Sequence, residues 1–354
     1  MSTGVAGAPV GGDRYFEKSE DQLSIVSEQE PVCLYLEVTN RCNLLCTTCP
    51  RTFEQLEPEA DMSWDLFTKI VDQVPNVKRV VLHGVGEPML VKRLPDMVAY
   101  LKHRGVYVLF NTNGTLLTKA NGQALMDAGL DELRVSLDAA EPTVFQMVRG
   151  KDMFDRIVSN VRQFRRMQLD QARDLPRVSL WLTGLRETLD QLDAFVRVAD
   201  SVGVREVYLQ RLVFFTDNSN GMARADSALF ENTSWEEERI IARATALAES
   251  LQIVFSASGA TEPETSIKQK RPGSPWSLCR RPWSLMYFTA TGRSIPCCVA
   301  PFSMRGYGTF TLGDATQHTL REIWNGADYQ EFRRKLLSPD PPQTCANCGL
   351  RWSL

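Results

Sequence analysis

No apolar run in this sequence approaches the roughly 20 residues that a membrane-spanning helix needs, so no bilayer span is expected. The first dozen residues, MSTGVAGAPVGG, lack the basic start and long apolar core of a secretory signal. They open what reads as a flexible tail over residues 1–28, and the chain reads as cytoplasmic. A basic excess is missing too. Forty Lys and Arg stand against 43 Asp and Glu, a net charge of −3, which argues against a general nucleic-acid binder. Nor does any cysteine fall between Cys49 and Cys279. Cys33, Cys42, Cys46 and Cys49 lie near one end, and Cys279, Cys297, Cys298, Cys345 and Cys348 near the other. Disulfides are rare in a reducing compartment, so two groups of thiols point to two separate metal sites.

What remains is an ordinary globular composition long enough for about two domains. Six short apolar runs read as strands buried on both faces: Leu34–Val38, Arg79–Leu82, Val106–Asn111, Leu133–Leu137, Val178–Thr183 and Glu206–Leu212. Amphipathic stretches alternate with them. Ser63 can cap a helix over Trp64–Val74, Leu94–Arg104 stops at Gly105, and Thr118–Ala128 stops at Gly129. Met153–Leu169, Leu189–Val202 and Ser234–Leu251 complete the set. Right-handed β–α crossovers turn this order into a parallel sheet curving toward a barrel, an α/β core of six units over residues 29–255. Residues 256–275, rich in Ser, Thr, Glu, Lys and Pro, read as a linker. A small cysteine-rich α+β domain follows over 276–354, with a hairpin at Leu285–Thr289 and Arg293–Cys297 and short helices at Thr319–Asn325 and Tyr329–Leu337.

Chemistry gathers where a curved parallel sheet places it, in the loops after the strands. Cys42, Cys46 and Cys49 follow the first strand as C-x3-C-x2-C. Iron–sulfur clusters are normally held by four thiolates, so a three-cysteine run leaves one iron open for chemistry. Gly84–Pro88 follows the second strand, Asn111–Gly114 ends the third, and Asp138 ends the fourth.

With Cys42-Asn-Leu-Leu-Cys46-Thr-Thr-Cys49 followed by Gly86-Glu87-Pro88 and Ser136-Leu-Asp138, the sequence resembles the radical S-adenosylmethionine (SAM) superfamily over nearly the whole chain after the tail. The resemblance implies a [4Fe–4S] cluster on the three thiolates. SAM chelates the fourth iron and is cleaved reductively to a 5′-deoxyadenosyl radical. By position, Gly86, Glu87 and Pro88 match the segment whose backbone meets the SAM amino group, with glycine permitting close approach. Asn111 and Asn113 match the ribose segment, Ser136 and Asp138 the methionine and ribose contacts, and Arg149 an arginine that pairs with the SAM carboxylate. The residue before the third cysteine is commonly aromatic in the family; here it is Thr48, so an adenine contact is missing. The C-terminal cysteines resemble the truncated Twitch form of the SPASM extension. Its implied auxiliary [4Fe–4S] ligands are Cys279, Cys297, Cys345 and Cys348. The sequence ends six residues after Cys348, so the further cysteines of a two-cluster SPASM domain are not expected.

Plainer readings stand beside these. The C-terminal thiols suit a structural zinc site as well. Cys298 is an alternative ligand to Cys297, a buried thiol or a hydrogen-atom donor. Cys33 reads as core packing, and His83 as a satisfied structural histidine. Gln210, Arg211, Arg186 and Glu187 follow late strands and could meet substrate, although salt bridges or solvated loops explain them more readily. The expected reaction removes hydrogen from a polar small molecule of sugar, aminocyclitol or nucleoside type in natural-product (antibiotic) biosynthesis. The auxiliary cluster would accept an electron, and a flavodoxin- or ferredoxin-type protein would supply the reductant. Alternatives are decarboxylation of a uronic-acid nucleoside such as cytosylglucuronate, maturation of a peptide, and a non-catalytic metal-binding scaffold.

Overall fold

Cys33–Leu36 (β1) is buried at all four residues, as a strand covered on both faces must be. The computed structural model describes residues 23–215, 221–230, 233–258, 262–268, 273–346 and 348. Parallel pairing runs outward from β1 through Arg79–Val81 (β2), Tyr107–Thr112 (β3), Glu132–Ser136 (β4), Arg177–Thr183 (β5), Glu206–Gln210 (β6) and Val254–Ala257 (β7). Among the described residues no helix is long and apolar enough to cross a membrane.

The connections hold the helices Trp64–Asp72 (α1), Leu94–Lys102 (α2), Lys119–Asp127 (α3), Pro142–Arg149 (α4), Phe154–Asp170 (α5), Leu192–Ser201 (α6), Trp235–Ser250 (α7) and Pro263–Lys268 (α8). Ser63 does cap α1, its side chain accepting from the Leu66 N–H. Gly105 and Gly129 follow α2 and α3 at φ +71° and +83°. The expected helix Leu189–Val202 begins instead as a 3₁₀ turn, Arg186–Gln191, before α6.

Two features differ from expectation. Residues 256–275 contain the end of β7 and all of α8, whose Pro263, Ser266 and Ile267 are buried. More consequentially, Leu285–Phe288 (β8) pairs parallel to β1 on its other edge, then turns into Arg293–Ile295 (β9) and Gly313–Asp314 (β10), both antiparallel. The sheet is therefore continuous, in the order β10-β9-β8-β1-β2-β3-β4-β5-β6-β7. Of the expected tail, residues 1–22 lie outside the described residues, and the segment after them docks on the C-terminal part. There Trp283 Nε1 donates to the Ser24 carbonyl, and the Ser27 N–H donates to Asn325 Oδ1.

Alternation along the strands divides the side chains. Leu34, Val80, Val108, Phe110 and Val135 pack on the helical layer with Phe67, Leu101 and Phe164. The opposite face carries Cys33, Tyr35, Val81 and Leu109, covered in part by Ile295, Ala300 and Phe310 from the C-terminal segment. That second face lines the functional cavity.

Candidate active site

The loop after β1 is tied down from several directions. Asn40 donates to the Pro58 carbonyl at 2.8 Å and accepts from the Ala60 N–H at 2.8 Å. The Thr47 N–H donates to the Val148 carbonyl at 2.8 Å, stitching the loop to the end of α4. Gly86 lies against the loop so closely that a Cβ there would be 2.1 Å from the Thr39 carbonyl oxygen. The glycine is thus required by packing against the cysteine loop, whose approach a Cβ would block.

Cys42, Cys46 and Cys49 line one cavity of about 210 Å³. The same cavity is lined by Thr48, Gly86, Glu87, Asn111, Asn113, Ser136, Asp138 and Arg149. Of the expected cofactor contacts only Pro88, buried at the start of a 3₁₀ turn, is not on its wall. Arg149 sits between two partners: Nη2 pairs with Asp138 Oδ2 at 2.7 Å, and Nη1 donates to Cys46 Sγ at 3.5 Å. Its buried Nε has no partner. Asp138 also accepts from the Thr183 N–H at 2.7 Å and sits at φ +59°, so it is fixed as the anchor of Arg149. Glu87 is a structural carboxylate. Burial raises its pKa, while the Asn113 N–H, the Thr112 hydroxyl and the Met89 N–H all donate to it. Asn113 is engaged within the protein, by Asn43 and Thr115. Burial pushes the Cys49 thiol up to about 12 and raises Cys42 as well; a bound metal reverses this by deprotonating the thiol outright.

The same cavity corrects the reading of His83. It lines the wall with its Nδ1 enclosed and unpartnered, so it is not a satisfied histidine; burial, then Arg134, lowers its pKa to about 4. Gln210 and Arg211 line the wall, Arg211 over the Phe230 ring at 4.8 Å. Arg186 and Glu187 do not, pairing with Glu237 and Ser227. Tyr35, Arg134, Trp181, Thr183 and Cys298 also face the cavity. Strand alternation was the signal for Arg134, which lies two residues before Ser136 on one strand.

The C-terminal thiols separate. Cys279, Cys297, Cys345 and Cys348 lie within electrostatic reach of one another, with burial raising Cys279 to about 12 and Cys345 well above its ordinary value. Cys298 lines the cavity and lies near Cys33, within reach also of Cys297 and of Arg281, which faces Cys279 and Cys348 too. Among the described residues no three His, Cys, Asp or Glu side chains converge at single-ion distance.

Residues 36–199 match the radical SAM superfamily, and residues 279–349 match SPASM, an iron–sulfur cluster-binding domain. The chain belongs to the radical SAM superfamily. It is 25% identical over 333 residues to the tungsten-containing aldehyde ferredoxin oxidoreductase cofactor-modifying protein of Pyrococcus furiosus, covering 90% of this chain and 87% of that one. It is 24% identical over 337 residues to the AdoMet-dependent heme synthase of Methanosarcina barkeri, covering 92% and 90%. With the PqqA peptide cyclase of Granulibacter bethesdensis it shares 23% over 330 residues, covering 92% and 82%. Two solved structures share the fold at 14% identity. SuiB of Streptococcus suis bound to S-adenosylmethionine has a TM-score of 0.64, covering 86% of this chain and 68% of that chain. Native anSMEcpe with bound AdoMet and Cp18Cys peptide has 0.62, covering 92% and 88%.

As a radical SAM protein with a SPASM domain, the chain is an enzyme that uses a [4Fe–4S] cluster, SAM and auxiliary iron–sulfur chemistry. The residues present suit these groups. Three thiols line one cavity, and on the same wall a buried guanidinium keeps an unused donor.

Proposed function

We propose that this radical SAM enzyme removes a hydrogen atom from an unactivated C–H bond of a polar small molecule, of sugar, aminocyclitol or nucleoside type, in a net two-electron oxidation. When bound, the cluster and SAM supply a 5′-deoxyadenosyl radical and the auxiliary cluster supplies an electron acceptor. Cys42, Cys46 and Cys49 would hold the first cluster. Gly86, Glu87, Pro88, Asn111, Asn113, Ser136, Asp138 and Arg149 would frame SAM, with Arg149 offering its unpartnered Nε to a carboxylate. Cys279, Cys297, Cys345 and Cys348 would hold the auxiliary cluster.

One observation carries the oxidative reading. Cys298 lines the cavity, while its neighbour Cys297 stands with the other C-terminal thiols. Adjacent residues of one segment thus face the cavity and the proposed auxiliary ligands, which supports a short path for an electron leaving a substrate radical. The test is anaerobic reconstitution with iron and sulfide, reduction by a flavodoxin- or ferredoxin-type donor, and product analysis. Release of 5′-deoxyadenosine with a carbonyl product supports oxidation. Released carbon dioxide would replace that reading with decarboxylation, and failure to cleave SAM with a fully reduced cluster would sink both.

Peptide maturation is a second reading, favoured by the similarity to a PqqA peptide cyclase along 92% of the chain. Turnover of a short precursor peptide, with small polar compounds inert, would select it.

A further inference from the structure

Strand register puts a polar patch on the cavity floor, below the residues assigned to SAM. Tyr35 pairs with Val81 across β1 and β2, and Asn111 with Arg134 across β3 and β4, so these side chains share the inward face. Tyr35 is 1% exposed, yet its hydroxyl has no hydrogen-bond partner, and His83 Nδ1 on the wall of the same cavity has none either. Arg134 lines the cavity with its Nε on Glu132 Oε1 at 2.7 Å and its guanidinium over the Trp181 ring at 4.6 Å. Arg79, nearer the start of its strand, is 2% exposed with Nε and Nη1 unpartnered.

Buried polar groups are normally satisfied, and buried charges normally paired. Here both rules are broken in one place. In the cluster around Glu132, Arg79, Arg134 and Arg177 are three cations against two anions, Glu132 and Glu206. One positive charge is left over. Glu132 cannot take on more: burial alone would raise its pKa, but Arg134, Arg177 and Arg79 hold it at about 2, already ionised. The guanidiniums are donors only, and the Tyr35 hydroxyl and neutral His83 can both donate. What the floor lacks is an acceptor bearing one negative charge. A carboxylate is such a group, and a planar one that a guanidinium grips well; a phosphate ester brings nearly two charges.

We propose that the cavity floor is a carboxylate-binding subsite formed by Arg134, Tyr35 and His83 over Arg79, so that the substrate is a small polyhydroxylated or nucleoside acid. This rests on the reading of the cavity as the substrate site. The carboxylate anchors at the floor, and the rest of the molecule extends toward the strand ends where Cys42, Cys46 and Cys49 lie.

The test uses the full reconstituted chain with SAM and titrates matched probes by calorimetry and tryptophan fluorescence. Glucuronate, gluconate and quinate are compared with glucose, glucuronamide and inositol, and glucose 6-phosphate reports a phosphate preference. At least one acid should bind about 10-fold or more tightly than its neutral counterpart, the strength of a hydrogen bond to a charged group. Tyr35→Phe removes a hydroxyl that bonds to nothing in the protein, so it should fold normally and still reduce the discrimination; Arg134→Met should abolish it. Equal binding of acids and neutral compounds overturns the subsite, as does a preference for the phosphate ester or discrimination unchanged in both variants. SAM cleavage is followed in the same samples. Cleavage without acid discrimination defeats the subsite alone, whereas acid discrimination without any cleavage defeats the proposed reaction alone.

Discussion

Replacing Gly86 by alanine tests the claim that this glycine holds the cysteine loop in place. A Cβ at residue 86 would be 2.1 Å from the Thr39 carbonyl oxygen and 2.7 Å from that of Arg41. Ordinary contact begins near 3.4 Å, so the chains must part by 3.4 − 2.1 = 1.3 Å. Neither neighbour is a flexible side-chain tip. Thr39 is pinned by its hydroxyl to Asp61 Oδ1 at 2.7 Å, and the Arg41 carbonyl already accepts from the Glu87 N–H at 2.8 Å. The displacement therefore falls on residues 39–41, immediately before Cys42, or on the Glu87 network. Overpacking of this kind costs about 1–3 kcal/mol, which an enzyme of this size should survive. A misplacement of about 1 Å at a reacting centre costs about 100-fold in rate. We expect Gly86→Ala to keep its far-UV circular dichroism and to lose about 100-fold in 5′-deoxyadenosine release per chain. Gly273→Ala, where nothing lies within 4 Å of the added Cβ, is the neutral control. A Gly86→Ala enzyme with the wild-type rate and iron content would refute the argument.

Cys297→Ala should lose the auxiliary iron, seen as a drop of about half in iron per chain, while Cys298→Ala retains it; the reverse result would exchange the two roles. Asp138→Ala leaves the buried Arg149 guanidinium without its carboxylate partner, and breaking a buried pair costs roughly 3–5 kcal/mol, readable as a lower denaturant midpoint. Glu37 is fully buried, and burial raises its pKa to about 7 from 4.5 despite donors from Val85, Tyr287 and Ala290. Its contribution is therefore fully present below pH 4.5 and is lost as pH rises to about 7, a decline of roughly 3 kcal/mol. Glu37→Gln should flatten stability against pH in that window, and an unchanged slope would reject the assignment.

The first six strands were legible because each is a short apolar run bounded by turn signals, and each lies within three residues of expectation. Strand β7 was not. It has four residues, and Val254 is half-exposed, so it lacks a buried pattern to read. The pairing of β8 with β1 was also hidden, because a sheet edge is chosen by three-dimensional packing that no local pattern records. In the site, cysteine spacing marked the three thiols that line one cavity. The resemblance named Asp138 and Arg149 but missed that they pair with each other. Arg134 and Tyr35 sit in plain alternation with recognised positions, yet without register nothing marks the pair as inward or the Tyr35 hydroxyl as unsatisfied.

The union of β1 with β8 also sets an order on synthesis. Cys33 finds its neighbour at Leu285, so this edge of β1 stays unpaired until most of the chain has left the ribosome. Contacts of such long sequence separation form late and slowly. The loop bearing Cys42, Cys46 and Cys49 grows directly from that waiting edge. A nascent chain stalled before residue 285 therefore presents these thiols beside an unpaired strand edge. Expression that outruns iron delivery should fail at this edge first, by strand-to-strand aggregation.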